Sequence, residues 1–208
     1  MNPDDTIRRH SPAAERNSPA LLAQLKRVLP ARGLMLEIAS GTGQHAAAFS
    51  AGLPGWTWQP TDLDPGALAS VAAWCAGLSR VRAPLRLDVT QVPWPSDVPA
   101  PLDAIFCANL IHIAPWRCTQ GLLRGAAQHL APQGQLLTYG PYLEDDVPTA
   151  PSNLAFDADL RARCADWGIR RLADVAAEAK VHGLVLKERV PMPANNLLLV
   201  WGHADADC

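Results

Sequence analysis

The chain of 208 residues predicts one α/β domain, a mostly parallel sheet covered by helices on both faces. Three observations carry this reading. Apolar runs alternate with helical stripes from Leu34 to Tyr139. Nearly every one of those runs is apolar on both faces, as strands sandwiched between helix layers are. The last two runs, about 183–190 and 196–202, are joined by so short a link that they must be antiparallel to each other.

The elements follow in order. Residues 1–18 are polar, hold the steps Ser11-Pro12 and Ser18-Pro19, and read as an irregular N-terminal arm ahead of a domain over 19–208. Ser18 is expected to cap a helix whose first residue is Pro19. Its apolar stripe is Leu21, Leu22, Leu25, Val28 and Leu29, and Pro30 stops it. A strand is predicted at 34–38, a helix at about 43–52 and a strand at 56–62. Asp64 is the expected N-cap of a helix over 65–78, and a short strand at 84–87 runs out to Asp88. Residues 91–101 contain Pro93, Pro95, Pro99 and Pro101 and read as a surface loop. Then come a strand at 102–108, a helix from Pro115 to about 130, a turn at Pro132-Gln-Gly134 and a strand at 135–139. Helices at about 156–167 and 171–181 precede the closing strand pair.

Composition narrows the partners. Hydrophobic residues make up 49% and charged residues 18%, which suits a packed core and excludes wholesale disorder. A net charge of −2 offers no basic footprint, so a nucleic-acid partner is not expected. Cys75, Cys107, Cys118, Cys164 and Cys208 are scattered, with no Cys-x-x-Cys pair. They read as reduced thiols, with neither a metal site nor a disulfide framework. The N-terminus lacks an apolar core region, and no run of about 18 apolar residues occurs, so a cytoplasmic protein without a membrane partner is expected.

The chemistry gathers at strand ends, where open α/β sheets bind ligands. Leu34-Met-Leu-Glu37 leads into Gly41-Thr-Gly43 and then an Ala-rich helix. Glycines there let backbone approach a nucleotide-like ligand and allow positive φ. A carboxylate at Glu37 would repel a phosphate. It suits a ligand with a cationic or hydroxyl-rich part, and S-adenosylmethionine (SAM) has both. Asp62 ends the second strand about 20 residues beyond the glycines, the spacing of a carboxylate that accepts from ribose hydroxyls. Asp88-Val89 ends the third strand, and Asn109-Leu-Ile-His112 follows the fourth. Asp is also a common cap and turn former, so each acid alone says little. Four polar ends in series behind a Gly-rich turn say more.

This order resembles the class I SAM-dependent methyltransferases. Leu36-Glu-Ile-Ala-Ser-Gly-Thr-Gly-Gln-His45, Trp58-Gln-Pro-Thr-Asp-Leu-Asp-Pro65 and Asn109-Leu-Ile-His-Ile-Ala-Pro-Trp116 closely resemble one branch. That branch is the functionally obscure domain-of-unknown-function 938 group, called methyltransferase-like protein 26 in animals. The resemblance runs from about Ser11 to Trp201. It implies a Rossmann-like seven-stranded sheet with an antiparallel last strand, and SAM as cofactor. The implied cofactor-binding set is Glu37, Ala39, Ser40, Gly41, Gly43, Asp62, Leu63, Asp88, Val89 and Asn109. Within it Asp62 takes the ribose, Asp88 and Val89 the adenine, and Gly41 and Gly43 the aminocarboxypropyl part. Thr61-Asp62 stands where Ser-Asp is frequent, a change that should leave ribose binding intact.

Methyl transfer is an in-line displacement, and a base matters only if the acceptor still holds its proton at attack. His112 is the candidate base or acceptor-orienting group, against the alternative of a histidine that shapes the turn before Pro115. Arg16, Asn17, Trp116, Tyr142 and Asn153 are candidate acceptor contacts, and each could equally be a loop or packing residue. The acceptor expected is a small molecule methylated at O or N. Gly41-x-Gly43-x-x-Ala46 also fits the fingerprint of a NAD-dependent oxidoreductase. Against that stand the third strand-end acid, the terminal antiparallel pair and the absence of a Tyr-x-x-x-Lys pair. A catalytically silent SAM-binding protein is a further alternative, from a different class.

Overall fold

The computed structural model describes residues 7–204, so residues 1–6 of the expected arm and Cys208 lie outside the described residues. Its core is a seven-stranded sheet in the order β3-β2-β1-β4-β5-β7-β6. The strands are β1 Gly33–Ile38, β2 Trp56–Asp62, β3 Leu85–Arg86, β4 Leu102–Ala108, β5 Leu130–Gly140, β6 Leu184–Met192 and β7 Asn196–His203. All neighbours pair parallel except β7, which is antiparallel to both β5 and β6. The single α/β domain and its reversed last strand are as the sequence predicts.

The six helices that position the site are α1 Pro12–Val28, α2 Gln44–Gly52, α3 Pro65–Trp74, α4 Trp116–His129, α5 Pro151–Arg163 and α6 Leu172–Val181. Alternate strand residues face opposite layers, as a period of two requires. Met35, Trp58, Phe106 and Leu198 meet Leu21 and Leu25 of α1, Phe49 of α2 and Val71 of α3. Leu36, Ile38, Ile105 and Leu199 meet Leu122 and Leu123 of α4 and Val175 of α6. Each layer buries a largely apolar strand face, which is why these strands show little polar alternation.

The N-terminal arm is corrected. α1 begins at Pro12, not Pro19, and Ser11 is its cap: its hydroxyl accepts from the Ala14 N–H at 3.2 Å. Both Ser-Pro steps carry the same start signal, and the earlier one is used. Pro19 sits inside the helix and donates no bond to the Glu15 carbonyl. Glu15 and Pro19 are both exposed, so water can take that carbonyl. The proline-rich loop is a second correction. Trp94 and Val98 are buried at 4% and 5% exposure, with Trp94 against Gly125 of α4 where a Cβ would come within 2.1 Å of its ring. The turn expected at Pro132-Gln-Gly134 is an irregularity inside β5, where the register against β4 shifts between Leu102 and Ala104.

Candidate functional site

β1 has β2 on one side and β4 on the other, so the switch point of the sheet lies at the carboxyl end of β1. The turn leaving it alternates hands. Ala39, Gly41 and Gly43 have φ of +54°, +58° and +90°. β2 holds this turn in place: Ser40 N–H donates to the Thr61 carbonyl at 2.8 Å, and Thr61 N–H donates to the Ser40 hydroxyl at 3.2 Å. Gly41 N–H donates to Asp62 Oδ2 at 2.8 Å, and Asp64 N–H to Asp62 Oδ1 at 2.9 Å. Asp62 therefore locks the glycine turn to the start of α3, where Asp64 caps Gly66 and Ala67 as the sequence predicts.

The two glycines serve different ends. A Cβ on Gly43 would lie 2.7 Å from Val71 Cα, so Gly43 is needed for α2 to pack on α3. A Cβ on Gly41 would meet nothing nearer than the Ala39 carbonyl at 3.9 Å. Bare backbone at Gly41 thus borders open space beside the Asp62 carboxylate. Leu63, next in the chain, is 47% exposed and offers an apolar surface at the same rim.

Glu37 is not the charged group that its place before the glycine turn suggests. It is 2% exposed and accepts from Trp58 Nε1 at 2.7 Å beneath the turn. Burial pushes its carboxyl up to about 8, against the bond from Trp58, so it is neutral at pH 7. Charge repulsion of a phosphate is therefore not its contribution; it supports β1 and β2 from below.

At the end of β3, Asp88 Oδ1 accepts from the Thr90 N–H at 2.9 Å and the Thr90 hydroxyl at 2.7 Å. Val89 is turned into the core with Leu87 and Trp94, which takes it off the surface where a purine face could meet it. Asn109 ends β4 in the left-handed region at φ +65°, its N–H on the Tyr139 carbonyl at 2.8 Å.

His112 lies in the turn after Asn109 and is 2% exposed. Its ring makes no hydrogen bond among the described residues. It rests edge-on to Phe156 of α5 at 5.8 Å and against Gly140, where a Cβ would come within 2.5 Å of its Cε1. Burial, then the nearby Arg170 guanidinium, pulls its pKa down to about 4, so the imidazole is neutral at pH 7. Arg170 pins the turn by donating to the Ile111 carbonyl at 3.2 Å and the Ala114 carbonyl at 2.9 Å. Its guanidinium also covers the Trp116 ring at 5.9 Å.

The remaining acceptor candidates are dispersed. Arg16 and Asn17 sit on α1, Arg16 exposed and Asn17 half-buried. The Tyr142 hydroxyl donates inward to the Thr138 hydroxyl at 2.9 Å, so it is not offered at the mouth. Asn153 Nδ2 donates to the Asn195 carbonyl at 3.0 Å, on the wall of a 190 Å³ cavity at the ends of β5 and β6. Glycine turn, Asp62, Asp88, Asn109 and His112 all stand at the carboxyl edge of the sheet, as the resemblance implies.

A family model described as a protein of unknown function (DUF938) matches residues 8–203. The chain belongs to the DUF938 family. Among solved structures, the DUF938 chain is similar to the mitomycin 7-O-methyltransferase MmcR, with a TM-score of 0.78 and 18% identity over 92% of this chain and 54% of that one. An O-methyltransferase family protein from Burkholderia thailandensis gives 0.76 and 17% over 94% and 58%. The neocarzinostatin O-methyltransferase NcsB1, solved with SAM and 2-hydroxy-5-methyl naphthoic acid, gives 0.75 and 17% over 92% and 55%. The chain spans just over half the length of these proteins. Their shared architecture makes the DUF938 fold that of the class I SAM-dependent methyltransferases.

The DUF938 site also uses residues without a sequence signal. Gln44 Oε1 accepts from the Ser11 N–H at 2.6 Å and from the Thr42 hydroxyl at 3.0 Å. The Ser70 hydroxyl donates to the Thr42 carbonyl at 2.8 Å and accepts from the Arg9 N–H at 2.8 Å. Arg9 pairs with Asp64 at 2.7 Å. The segment before α1 is thereby bound to the glycine turn, a long-range contact that spacing along the chain does not announce.

Proposed function

We propose that the protein is a SAM-dependent methyltransferase acting on a small-molecule acceptor at oxygen or nitrogen. The observation that carries this reading is the junction of the bare Gly41 backbone, open on its outer side, with the Asp62 carboxylate 2.8 Å away. The donor set fits SAM: an acid for ribose hydroxyls at Asp62, an apolar rim at Leu63, and glycine backbone where a Cβ would intrude. Asp88, with Oδ2 outside its turn with Thr90, is the acid assigned to the adenine amine. Ala39, Ser40, Gly43 and Asn109 complete the frame around it. The likeness to NcsB1, solved with SAM and an aromatic acid, supports both the cofactor and the small acceptor.

Bound SAM supplies a methyl group on a positively charged sulfur. The chain's own task is to hold a nucleophile in line with it, an arrangement worth up to about 7–11 kcal/mol of barrier. Neutral His112 can accept a hydrogen bond from an acceptor hydroxyl or amine and so aim its lone pair. Its low pKa makes it a weak base for an untouched phenol. An acceptor oxygen becomes strongly acidic as its new bond forms, and a neutral imidazole then suffices to take the proton. Gly140 and Phe156 fix the ring's orientation, and Arg170 holds the turn that carries it.

Thermal shift tests the assignment. SAM and S-adenosylhomocysteine (SAH) should each raise the midpoint in proportion to RT ln(1 + [L]/Kd), and NAD should not. Stabilisation by NAD alone would sink the proposal, and SAH binding with no methyl transfer to any small acceptor would favour the silent binding protein.

A further inference from the structure

The cavity beside Asn153 lies one step from His112. Gly140, which abuts the His112 ring, pairs with Leu197 of the cavity wall. Phe156, which touches the same ring, stands three residues beyond Asn153 on α5, so the two share a helix face. The cavity therefore flanks the end of β5 on the side away from the glycine turn. At 190 Å³ it is below the roughly 300–1,000 Å³ of drug-sized pockets, which suits an acceptor of about one ring.

Its wall carries one charged pair, Arg189 with Glu144, which together add no net charge. Arg189 donates Nε and Nη2 to the two oxygens of Glu144 at 2.5 and 2.7 Å. The other polar side chains are neutral: the Thr149 hydroxyl, the Tyr142 hydroxyl turned onto Thr138, and the amides of Asn153, Asn195 and Asn196. Asn153 and Asn196 each give one amide N–H, to the Asn195 and Pro193 carbonyls. The pair leaves the wall without net charge, so an ion entering here gains no net attraction to offset the hydration it gives up. A neutral ligand with a hydroxyl or amide edge would find a hydroxyl and an Asn153 carbonyl oxygen, with Met192 and Leu197 as apolar wall.

Building on the methyltransferase reading, we infer that this cavity is the acceptor subsite and that it selects an uncharged, one-ring acceptor bearing a hydroxyl or amide opposite the methylated atom. Three one-ring probes test it: 4-hydroxybenzamide, 4-hydroxybenzoate and the cationic tyramine, followed by the side-chain amide resonances of Asn153 and Asn196, with and without saturating SAH. 4-Hydroxybenzamide should shift both resonances and bind at least tenfold more tightly than either charged probe. Thr149→Phe should abolish those shifts with the SAH Kd unchanged within twofold. Thr149→Glu should move the preference to tyramine. Equal or tighter binding of a charged probe by the natural protein overturns the proposal, as does undiminished 4-hydroxybenzamide binding by folded Thr149→Phe and Thr149→Glu. Because the probes are also read without SAH, a failure of SAH to bind would remove the methyltransferase reading alone.

Discussion

At the residue scale, Asp62 and His112 differ in how the fold holds them. Asp62 accepts N–H groups from Gly41 and Asp64, so it organises the turn before any ligand arrives. Asp62→Ala removes a charged acceptor from both ends of that turn as well as from the ligand. SAH affinity measured by calorimetry should fall by at least about 2 kcal/mol, roughly thirtyfold in Kd. His112 touches no bond in the turn through its ring, so His112→Ala should leave SAH affinity within twofold. SAH release with an acceptor should slow by about 10²–10⁴-fold if the imidazole handles the proton. Since burial holds His112 near 4, its neutral form persists where an ordinary histidine protonates. The rate should not fall through His112 protonation between about pH 7.5 and 5.5; an apparent pKa of about 6.5 lost in His112→Ala would contradict this. The strand-end placement of Asp62 and His112 was legible because polar residues in series leave a pattern. The neutrality of Glu37 is not legible in the same way, because spacing reports residue type and not burial.

Among elements, the glycine turn and α2 offer the cleanest separation of stability from binding. Gly43→Ala forces a Cβ to 2.7 Å from Val71 Cα at φ +90°. Strain and overpacking of about 2–3 kcal/mol should lower the midpoint by roughly 5–10 °C. Gly41→Ala adds only the left-handed strain of about 1–2 kcal/mol, a drop of a few degrees, yet should weaken SAH more than tenfold by filling the ligand side. Calorimetry beside melting curves checks both, and the reverse ranking would mean that the ligand does not pass Gly41. Element identity was readable wherever apolar runs met caps, as at Asp64. It failed at α1 because Ser11-Pro12 and Ser18-Pro19 carry equal start signals. The choice between them is made by distant partners: Gln44, which holds the Ser11 backbone, and Ser70, which holds Arg9.

Three buried ionisable groups shape the whole molecule's response to pH. Glu37, raised to about 8, is neutral in the fold, so its contribution is complete below about 4.5 and lost as pH rises through 8. His45 and His112, each lowered to about 4 by burial, contribute fully above about 6.5 and lose this as pH falls through 4. Each group changes stability by about 1.4 kcal/mol per pH unit inside its window. Two histidines outweigh one carboxyl between about 4.5 and 6.5, and Glu37 acts alone above that, so stability should peak near about pH 6.5. Denaturant midpoints across pH check this, and Glu37→Gln should flatten the limb from 6.5 to 8. A peak above pH 8 would count against a neutral Glu37.

The amino-acid order alone determined the sheet, its reversed last strand and the line of polar strand ends, because these follow from periodicity, link length and turn chemistry, all local in the chain. Tertiary structure decided which of those groups are charged, which face outward and which meet. Glu37 lost its charge to burial, Val89 and the Tyr142 hydroxyl turned into the core, and the cavity by Asn153 arose where β5, β6 and α5 come together. Desolvation and long-range contact depend on neighbours far away in sequence, and no local pattern encodes them.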